Sequence, residues 1–105
     1  MYLNEVGEII QEVMESHEIT LPTSYIHSNS TTSLSNTAYK VKCCRNLHGH
    51  SIAPYEIHGG KSVPIIKSDA PEYRLRMEEN EFYAIETFGS TGDGYVFEVK
   101  SVSYI

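Results

Sequence analysis

Three histidines, His48, His50 and His58, lie close together in the glycine-containing stretch 46–60 of the sequence. Glycine has no Cβ, so the backbone in this stretch can lie close to whatever the imidazole rings contact. A neutral imidazole nitrogen is an ordinary ligand of first-row divalent metal ions. The stretch is therefore a candidate functional site.

A glutamate, Glu86, interrupts an otherwise apolar segment at residues 82–88. This composition predicts a buried β-strand, in which the alternation of side chains places Glu86 on an apolar side. An ionised carboxylate in that position costs several kcal/mol unless it is paired or bound to a metal. We therefore expect a cation beside Glu86, and His50 or His58 together with Glu86 could form part of a metal site.

Arginine is the alternative partner for Glu86, and the sequence offers Arg45, Arg74 and Arg76. A histidine beside a glycine can also be a turn residue that is hydrogen-bonded to the backbone. Two or three ligands scattered along a chain are a weak signature of a metal site. The residue types by themselves leave the metal site and the arginine ion pair both open.

A helix is predicted over residues 5–16, with Asn4 as its N-cap, because apolar residues recur there at helical spacing. The apolar stripe is expected in the core and consists of Val6, Ile9, Ile10, Val13 and Met14. Two further histidines, His17 and His27, follow this helix. We expect both of them to be solvated rather than to bind a metal.

A β-hairpin is predicted after the helix, with strands over residues 18–21 and 38–43. The segment between them, 28–37, is polar and cannot bury enough apolar surface to offset the entropy of ordering it. It is expected to be a mobile surface insertion, which extends over about residues 22–37 when its flanks are included. We place no chemistry on it.

The rest of the chain predicts short strands and turns. A strand is expected at residues 62–66, where Pro64 favours the edge of a sheet or an irregular stretch. The four residues 78–81 predict a charged, solvated turn. A glycine-rich loop over residues 89–94 is expected to lead into a last strand at 95–99.

Composition narrows the classes of function. The chain has 105 residues and a formal net charge of −6, and it shows no basic stripe, which argues against direct binding to nucleic acid or anionic membranes. The longest apolar runs are too short to span a membrane, and the N-terminus does not resemble a secretory signal. Adjacent Cys43 and Cys44 disfavour an internal disulfide and favour a reducing compartment.

Several segments resemble type 2 methionine aminopeptidases, which are metalloenzymes of the pita-bread fold. The resemblance is most specific at Gly49-His50-Ser51-Ile52 and at Ile85-Glu86-Thr87-Phe88. It covers most of the chain in the same order, over the segments 6–16, 45–47, 49–52, 57–58, 60–61, 63–65, 76–79 and 83–92.

The resemblance implies a role for five residues. His50 and Glu86 match metal ligands of the family. His58 matches a histidine that does not bind metal but hydrogen-bonds the substrate and stabilises the tetrahedral intermediate. Ile57 and Phe88 match positions that line the methionine pocket. No residue is assigned to an organic cofactor.

At the level of the whole protein, the resemblance implies an α+β fold, with an antiparallel curved sheet and a helix packed on it. It implies removal of the initiator methionine from nascent proteins in the cytoplasm by water that two divalent metal ions activate. Cobalt, manganese, zinc and iron remain candidates for the metal. The expected partner is a peptide with an N-terminal methionine, and association with the ribosome is left open.

Two departures from the family pattern qualify these expectations. His48 stands where the family usually has asparagine, and Ala53-Pro54 replaces a more usual Gly-Gln, so the fit of substrate near His48 is open. The family's two aspartates, further histidine and last glutamate have no counterpart in residues 1–105. We therefore expect an interior fragment of a catalytic domain that is inactive alone. The alternative is a noncatalytic relative that binds ribosomes or RNA.

Overall fold

The computed structural model describes residues 1–26 and 32–98, except for the side chains of 23–26 and 32–35. His27 and residues 99–105 lie outside the described residues. Helix α1 is followed by seven strands, with a 3₁₀ turn at Pro71–Tyr73. Their bounds are α1 Leu3–Met14, β1 Glu18–Ile26, β2 Thr32–Lys40, β3 Lys42–Cys43, β4 His48–Ile52, β5 Ser62–Pro64, β6 Phe82–Ala84 and β7 Gly89–Ser90.

Helix α1 begins and ends two residues earlier than predicted, and Asn4 is inside it rather than at its N-cap. The N-cap is Tyr2, whose backbone N–H donates to the Glu5 carboxylate over 2.7 Å. This bond is the one that a capping box makes from the carboxylate at N3 back to the N-cap backbone, and the negative charge is also favourable near the helix N-terminus. At the other end His17 is exposed, as predicted, with its Nδ1 2.8 Å from the Val13 carbonyl oxygen. With 12 residues α1 is too short to cross a bilayer, and no other helix in the described part could do so.

The buried side of α1 differs from the predicted apolar stripe. Leu3 and Gly7 are the buried residues, whereas Ile9 and Val13 are 49% and 57% exposed. The helix packs against β5 through Gly7, where an added Cβ would overlap the Ile66 carbonyl oxygen. The absence of a side chain allows this close approach and decides which side faces the sheet, so the prediction that Ile9 and Val13 are core was wrong.

Strands β1 and β2 form the predicted hairpin, in an antiparallel register that runs from Glu18↔Lys40 to Ile26↔Thr32. Strand β1 does not end before Pro22, because both strands of a two-stranded ribbon are edge strands, where proline is tolerated. Residues 32–37 of the predicted insertion lie in β2, and residues 27–31 are outside the described part. The second strand stops at Lys40 instead of residue 43.

A three-stranded antiparallel sheet carries the candidate site, in the order β5-β4-β6. The edge position predicted for Pro64 is confirmed. Strand β3 is outside this sheet and pairs with β7. The first two residues of the predicted glycine-rich loop, Gly89 and Ser90, therefore form a strand. Residues 95–98 form no strand, and the predicted last strand is absent over these residues. Among the side chains that the structure describes, the largest fully buried ones are Leu3, Cys43, Val63 and Ile65.

The apolar segment 82–88 is not the buried strand that its composition predicted. Regular pairing covers only Phe82–Ala84, and Phe82, Ile85 and Phe88 are exposed. Strand β6 is at the edge of the sheet, where it pairs with β4 only. Within residues 1–26 and 32–98, nothing covers these apolar side chains enough to bury them.

Candidate metal-binding site

Strand β4 supplies the centre of the candidate site. Its three middle residues, Gly49, His50 and Ser51, are buried. His50 is paired with Ala84 on one side and with Ser62 on the other. Gly49 allows β6 to lie very close, since an added Cβ would overlap the Ala84 carbonyl oxygen. The glycine that precedes the histidine thus lets β6 lie alongside it, and β6 leads directly to Glu86.

The predicted convergence of His50 and Glu86 is confirmed. His50 Nε2 lies 3.0 Å from Glu86 Oε1, although the two residues are 36 positions apart. His50 is buried, with 7% of its surface exposed. The Glu86 side chain is 40% exposed, so the prediction that it is buried was wrong. Arg45 and Arg76, two of the alternative partners, lie instead over the rings of Tyr95 and Tyr2.

The contact of the second ring nitrogen of His50 bears on what can lie between His50 and Glu86. His50 Nδ1 lies 3.1 Å from the Ser51 carbonyl oxygen, which can only accept a hydrogen bond. A neutral imidazole carries one N–H, so if Nδ1 donates it, Nε2 presents a lone pair to the Glu86 carboxylate. Two acceptors at 3.0 Å repel unless a cation lies between them. In this tautomer, the cation is either a proton shared by the two groups or a metal ion.

The geometry of the donors is compatible with a metal ion. Two ligands that each lie about 2.1 Å from one ion, at a right angle to each other, are about 3.0 Å apart. Metal-binding histidines usually donate their other ring N–H to a carbonyl or carboxylate, as His50 can to Ser51. The described residues contain no group of three or more histidine, cysteine, aspartate or glutamate side chains that could hold a metal. This part of the chain therefore offers an imidazole and a carboxylate, which is an incomplete ligand set.

His58 is the second histidine at this site. Its ring centroid is 4.3 Å from that of His50, with an angle of 59° between the rings, and the residue is exposed. It lies in the loop between β4 and β5, near Gly60, whose φ of 108° suits glycine. The structure therefore brings His58 beside the His50–Glu86 pair, from a solvent-accessible loop.

The remaining residues of interest are more dispersed. His48 is exposed, and its Nδ1 lies 2.9 Å from the Gly49 carbonyl oxygen. It lines a cavity of about 390 Å³ with residues such as Pro64 and Tyr73. Ile57 and Phe88 are both exposed apolar side chains. Their role in a methionine pocket stays a prediction.

Sequence reasoning missed a network around Glu81, because the 78–81 turn was expected to be simply solvated. Glu81 accepts hydrogen bonds from the Tyr83 hydroxyl at 2.7 Å and from Lys61 Nζ at 3.0 Å. These bonds lower the pKa of the Glu81 carboxyl to about 2, with Tyr83 as the largest cause. The sequence does place a lysine and a tyrosine in segments next to the site, but only their pairing in the sheet brings them together.

An imidazole and a carboxylate that meet on an antiparallel sheet, beside a second imidazole, define the chain as an α+β protein with part of a candidate metal site. No family model matches it. It is 52% identical to methionine aminopeptidase 2 of Saccharomyces cerevisiae over 97% of its residues. The corresponding identities are 50% and 51% for methionine aminopeptidase 2 of Podospora anserina and Malassezia globosa.

The chain spans about a fifth of the length of these curated relatives. Because the match extends over nearly all of its residues at about half identity, the resemblance to type 2 methionine aminopeptidases is confirmed. The chain matches one segment of each of these relatives.

Proposed function

We propose that this chain is part of the catalytic domain of a metal-dependent methionine aminopeptidase with the pita-bread fold. The reaction would release the initiator methionine from nascent proteins in the cytoplasm, and two divalent metal ions would serve as cofactors. The observation that carries the proposal is the 3.0 Å approach of His50 Nε2 to Glu86 Oε1, with His50 Nδ1 facing a carbonyl oxygen. The similarity to the yeast methionine aminopeptidase 2 supports the same reaction.

His50 and Glu86 would hold metal in this proposal. A bound divalent ion lowers the pKa of water and so provides a hydroxide nucleophile near neutral pH. With Nδ1 donating to the Ser51 carbonyl, the His50 ring would be held with its Nε2 lone pair directed at the site. Glu86 supplies negative charge from the facing segment.

His58 would act on the substrate rather than on the metal. A ring N–H that points at the scissile carbonyl stabilises the oxygen as it becomes negative in the transition state. The position of His58 supports this role, since it lies beside His50 on an exposed loop that a peptide can reach. Ile57 and Phe88 would contact the methionine side chain with their exposed apolar surfaces.

The noncatalytic alternative, a module that binds ribosomes or RNA, is less well supported. Such a module has no need for a buried imidazole held 3.0 Å from a carboxylate. The net charge of −6 also gives a phosphate backbone little to bind.

A chimaera tests the proposed function. The segment of yeast methionine aminopeptidase 2 that matches this chain would be replaced by residues 1–105, and methionine release from a Met-Ala-Ser peptide would be measured with added cobalt or manganese. We expect turnover in the chimaera, its loss in His50→Gln and Glu86→Gln, and no change in the control His17→Gln. A folded chimaera without turnover would contradict the proposal.

The isolated chain provides a second measurement. With two of the required ligands, it should bind cobalt weakly and show no turnover, so only the binding is informative. Added Co²⁺ should broaden the NMR signals of the His50 ring in the wild type and not in Glu86→Gln. Equal broadening in both proteins would show that the carboxylate takes no part in binding.

A further inference from the structure

The loop that carries His58 is hydrogen-bonded to the buried residue Ser51 through Gly59 and Lys61. The Ser51 N–H donates to the Lys61 carbonyl over 2.8 Å, and the Lys61 N–H donates to Ser51 Oγ over 3.0 Å. The Gly59 N–H donates to the Ser51 carbonyl over 2.7 Å, which is also the oxygen that faces His50 Nδ1. One residue therefore contacts both the His50 ring and the two ends of the segment that follows His58.

The side chain of Lys61 extends this attachment to the neighbouring strand. Its Nζ lies 2.9 Å from both the Arg76 carbonyl oxygen and Glu81 Oε2, and 3.6 Å from Glu78 Oε2. Glu81 in turn accepts hydrogen bonds from the Tyr83 hydroxyl and from the Glu78 N–H. The ammonium group thus joins the end of the His58 loop to the residue that immediately precedes β6.

This ion pair differs from an ordinary surface salt bridge, which contributes little because both side chains remain mobile and solvated. The Lys61 and Glu81 side chains are only 21% and 25% exposed. Oε1 of Glu81 accepts three hydrogen bonds and Oε2 contacts Lys61, so neither side chain can turn away without breaking several contacts. The network is therefore rigid enough to fix the relative positions of the two segments that it joins.

We propose that Lys61, Glu81 and Tyr83 form a positioning network that holds the His58 loop against the strand leading to Glu86. This inference deepens the proposed function and rests on it, because it assigns the network to the placement of His58 relative to the His50–Glu86 pair. The three residues touch neither substrate nor metal in this scheme. Their effect on the reaction passes through His58.

NMR of the isolated chain tests the placement without any turnover. The adjacent rings of His50 and His58 should give a nuclear Overhauser effect between their ring protons. We expect Glu81→Gln and Lys61→Met to weaken or abolish this effect, and Lys61→Arg to restore it because arginine keeps a cation in reach of the carboxylate. The matched control is Lys67→Met. The Lys67 side chain is exposed, and its Nζ makes a loose ion pair with Glu8 at 3.9 Å.

The outcomes separate positioning from general stability. A Glu81→Gln protein with a lowered unfolding midpoint but an unchanged effect between the rings would overturn the proposal. Should Lys61→Met fail to fold, Tyr83→Phe, which removes only one hydroxyl from the network, decides the matter by the same measurement. An unchanged ring contact in a folded Tyr83→Phe protein and in Glu81→Gln would likewise overturn it.

Kinetics in the yeast chimaera provide the functional measurement. Because His58 would act on the transition state, Glu81→Gln should lower kcat by about tenfold to a hundredfold with little change in KM. A rise in KM at constant kcat would contradict positioning of His58. If no chimaera shows turnover, the proposed function fails, while the NMR result still reports whether the network places His58.

Discussion

Replacement of Gly49 by alanine probes the contact on which the candidate site depends. An added Cβ would overlap the Ala84 carbonyl oxygen and would lie 3.1 Å from the Glu86 backbone nitrogen. Both atoms belong to the backbone of the segment that carries Glu86, so no change of rotamer relieves the overlap. Gly49 does not have a positive φ, and alanine can adopt its backbone conformation. The substitution therefore tests the approach of β6 and not local strain.

The expected magnitude follows from two opposing effects. Loss of conformational freedom in the unfolded chain favours alanine over glycine by about 0.4–1 kcal/mol. Overpacking typically costs about 1–3 kcal/mol, and an overlap with backbone lies at the upper end of this range. We expect Gly49→Ala to lower the free energy of unfolding by about 2 kcal/mol. Strand β6 should also move away from β4, which lengthens the 3.0 Å separation of His50 and Glu86.

Urea unfolding followed by circular dichroism measures the free energy, with Gly92→Ala as the matched control. At Gly92 an added Cβ meets only Ser90 Oγ, at 3.4 Å, so this variant should be as stable as the wild type or slightly more stable. The ring nitrogen signals of His50 report the change in its partner. Equal stability of the two variants, with unchanged His50 signals in Gly49→Ala, would refute the close approach of β6.

Three further predictions concern other contacts. The pKa of the Glu81 carboxyl is held at about 2, with the Tyr83 hydrogen bond as the largest cause. The stability that the ionised Glu81 contributes is therefore complete above pH 4.5, the ordinary pKa of the group, and is lost as the pH falls through 2. Thermal midpoints should accordingly fall less with acid in Glu81→Gln than in the wild type, and parallel curves would contradict this. Burial raises the pKa of the Cys43 thiol, so iodoacetamide should label it slowly at neutral pH and rapidly in urea; rapid labelling of the folded chain would exclude the buried environment. Asn46→Ala should speed exchange of the Val96 amide hydrogen about tenfold, because the 2.8 Å bond from that amide to Asn46 Oδ1 is lost, and unchanged exchange would refute the contact.

Local sequence patterns were sufficient for several elements. Helical periodicity located α1 to within two residues, and alternation identified the pairing of β1 with β2. The proline at position 64 indicated an edge strand, because proline has no backbone N–H to donate to a neighbouring strand. These features depend on residues that are close in sequence, or on one strand and its immediate neighbour.

The pairing of His50 with Glu86 was predictable for a different reason. A carboxylate in an apolar segment needs a cation, and the family resemblance selected this histidine from several candidates. The family also implied roles for His58, Ile57 and Phe88, and those roles remain predictions. Residue types alone did not distinguish the histidine from the three arginines.

Burial could not be read from the sequence, because it depends on which element covers which face. The apolar pattern of α1 did not reveal that Gly7 permits the closest approach to β5, so Ile9 and Val13 were assigned to the core although they are exposed. The apolar residues Phe82, Ile85 and Phe88 were likewise predicted to be buried, although they are exposed. An edge strand with one neighbour leaves such residues exposed whatever their hydrophobicity.

The sequence by itself determined the residue types that could bind a metal and located α1 and the β1–β2 hairpin, because both depend on residue type and on short-range periodicity. Only the tertiary structure decided that the Lys61 N–H donates to Ser51 Oγ and that the Lys61 side chain reaches Glu81. Both contacts depend on the register of β4 against its neighbours. A shift by one residue would turn each side chain of the strand to the opposite face of the sheet.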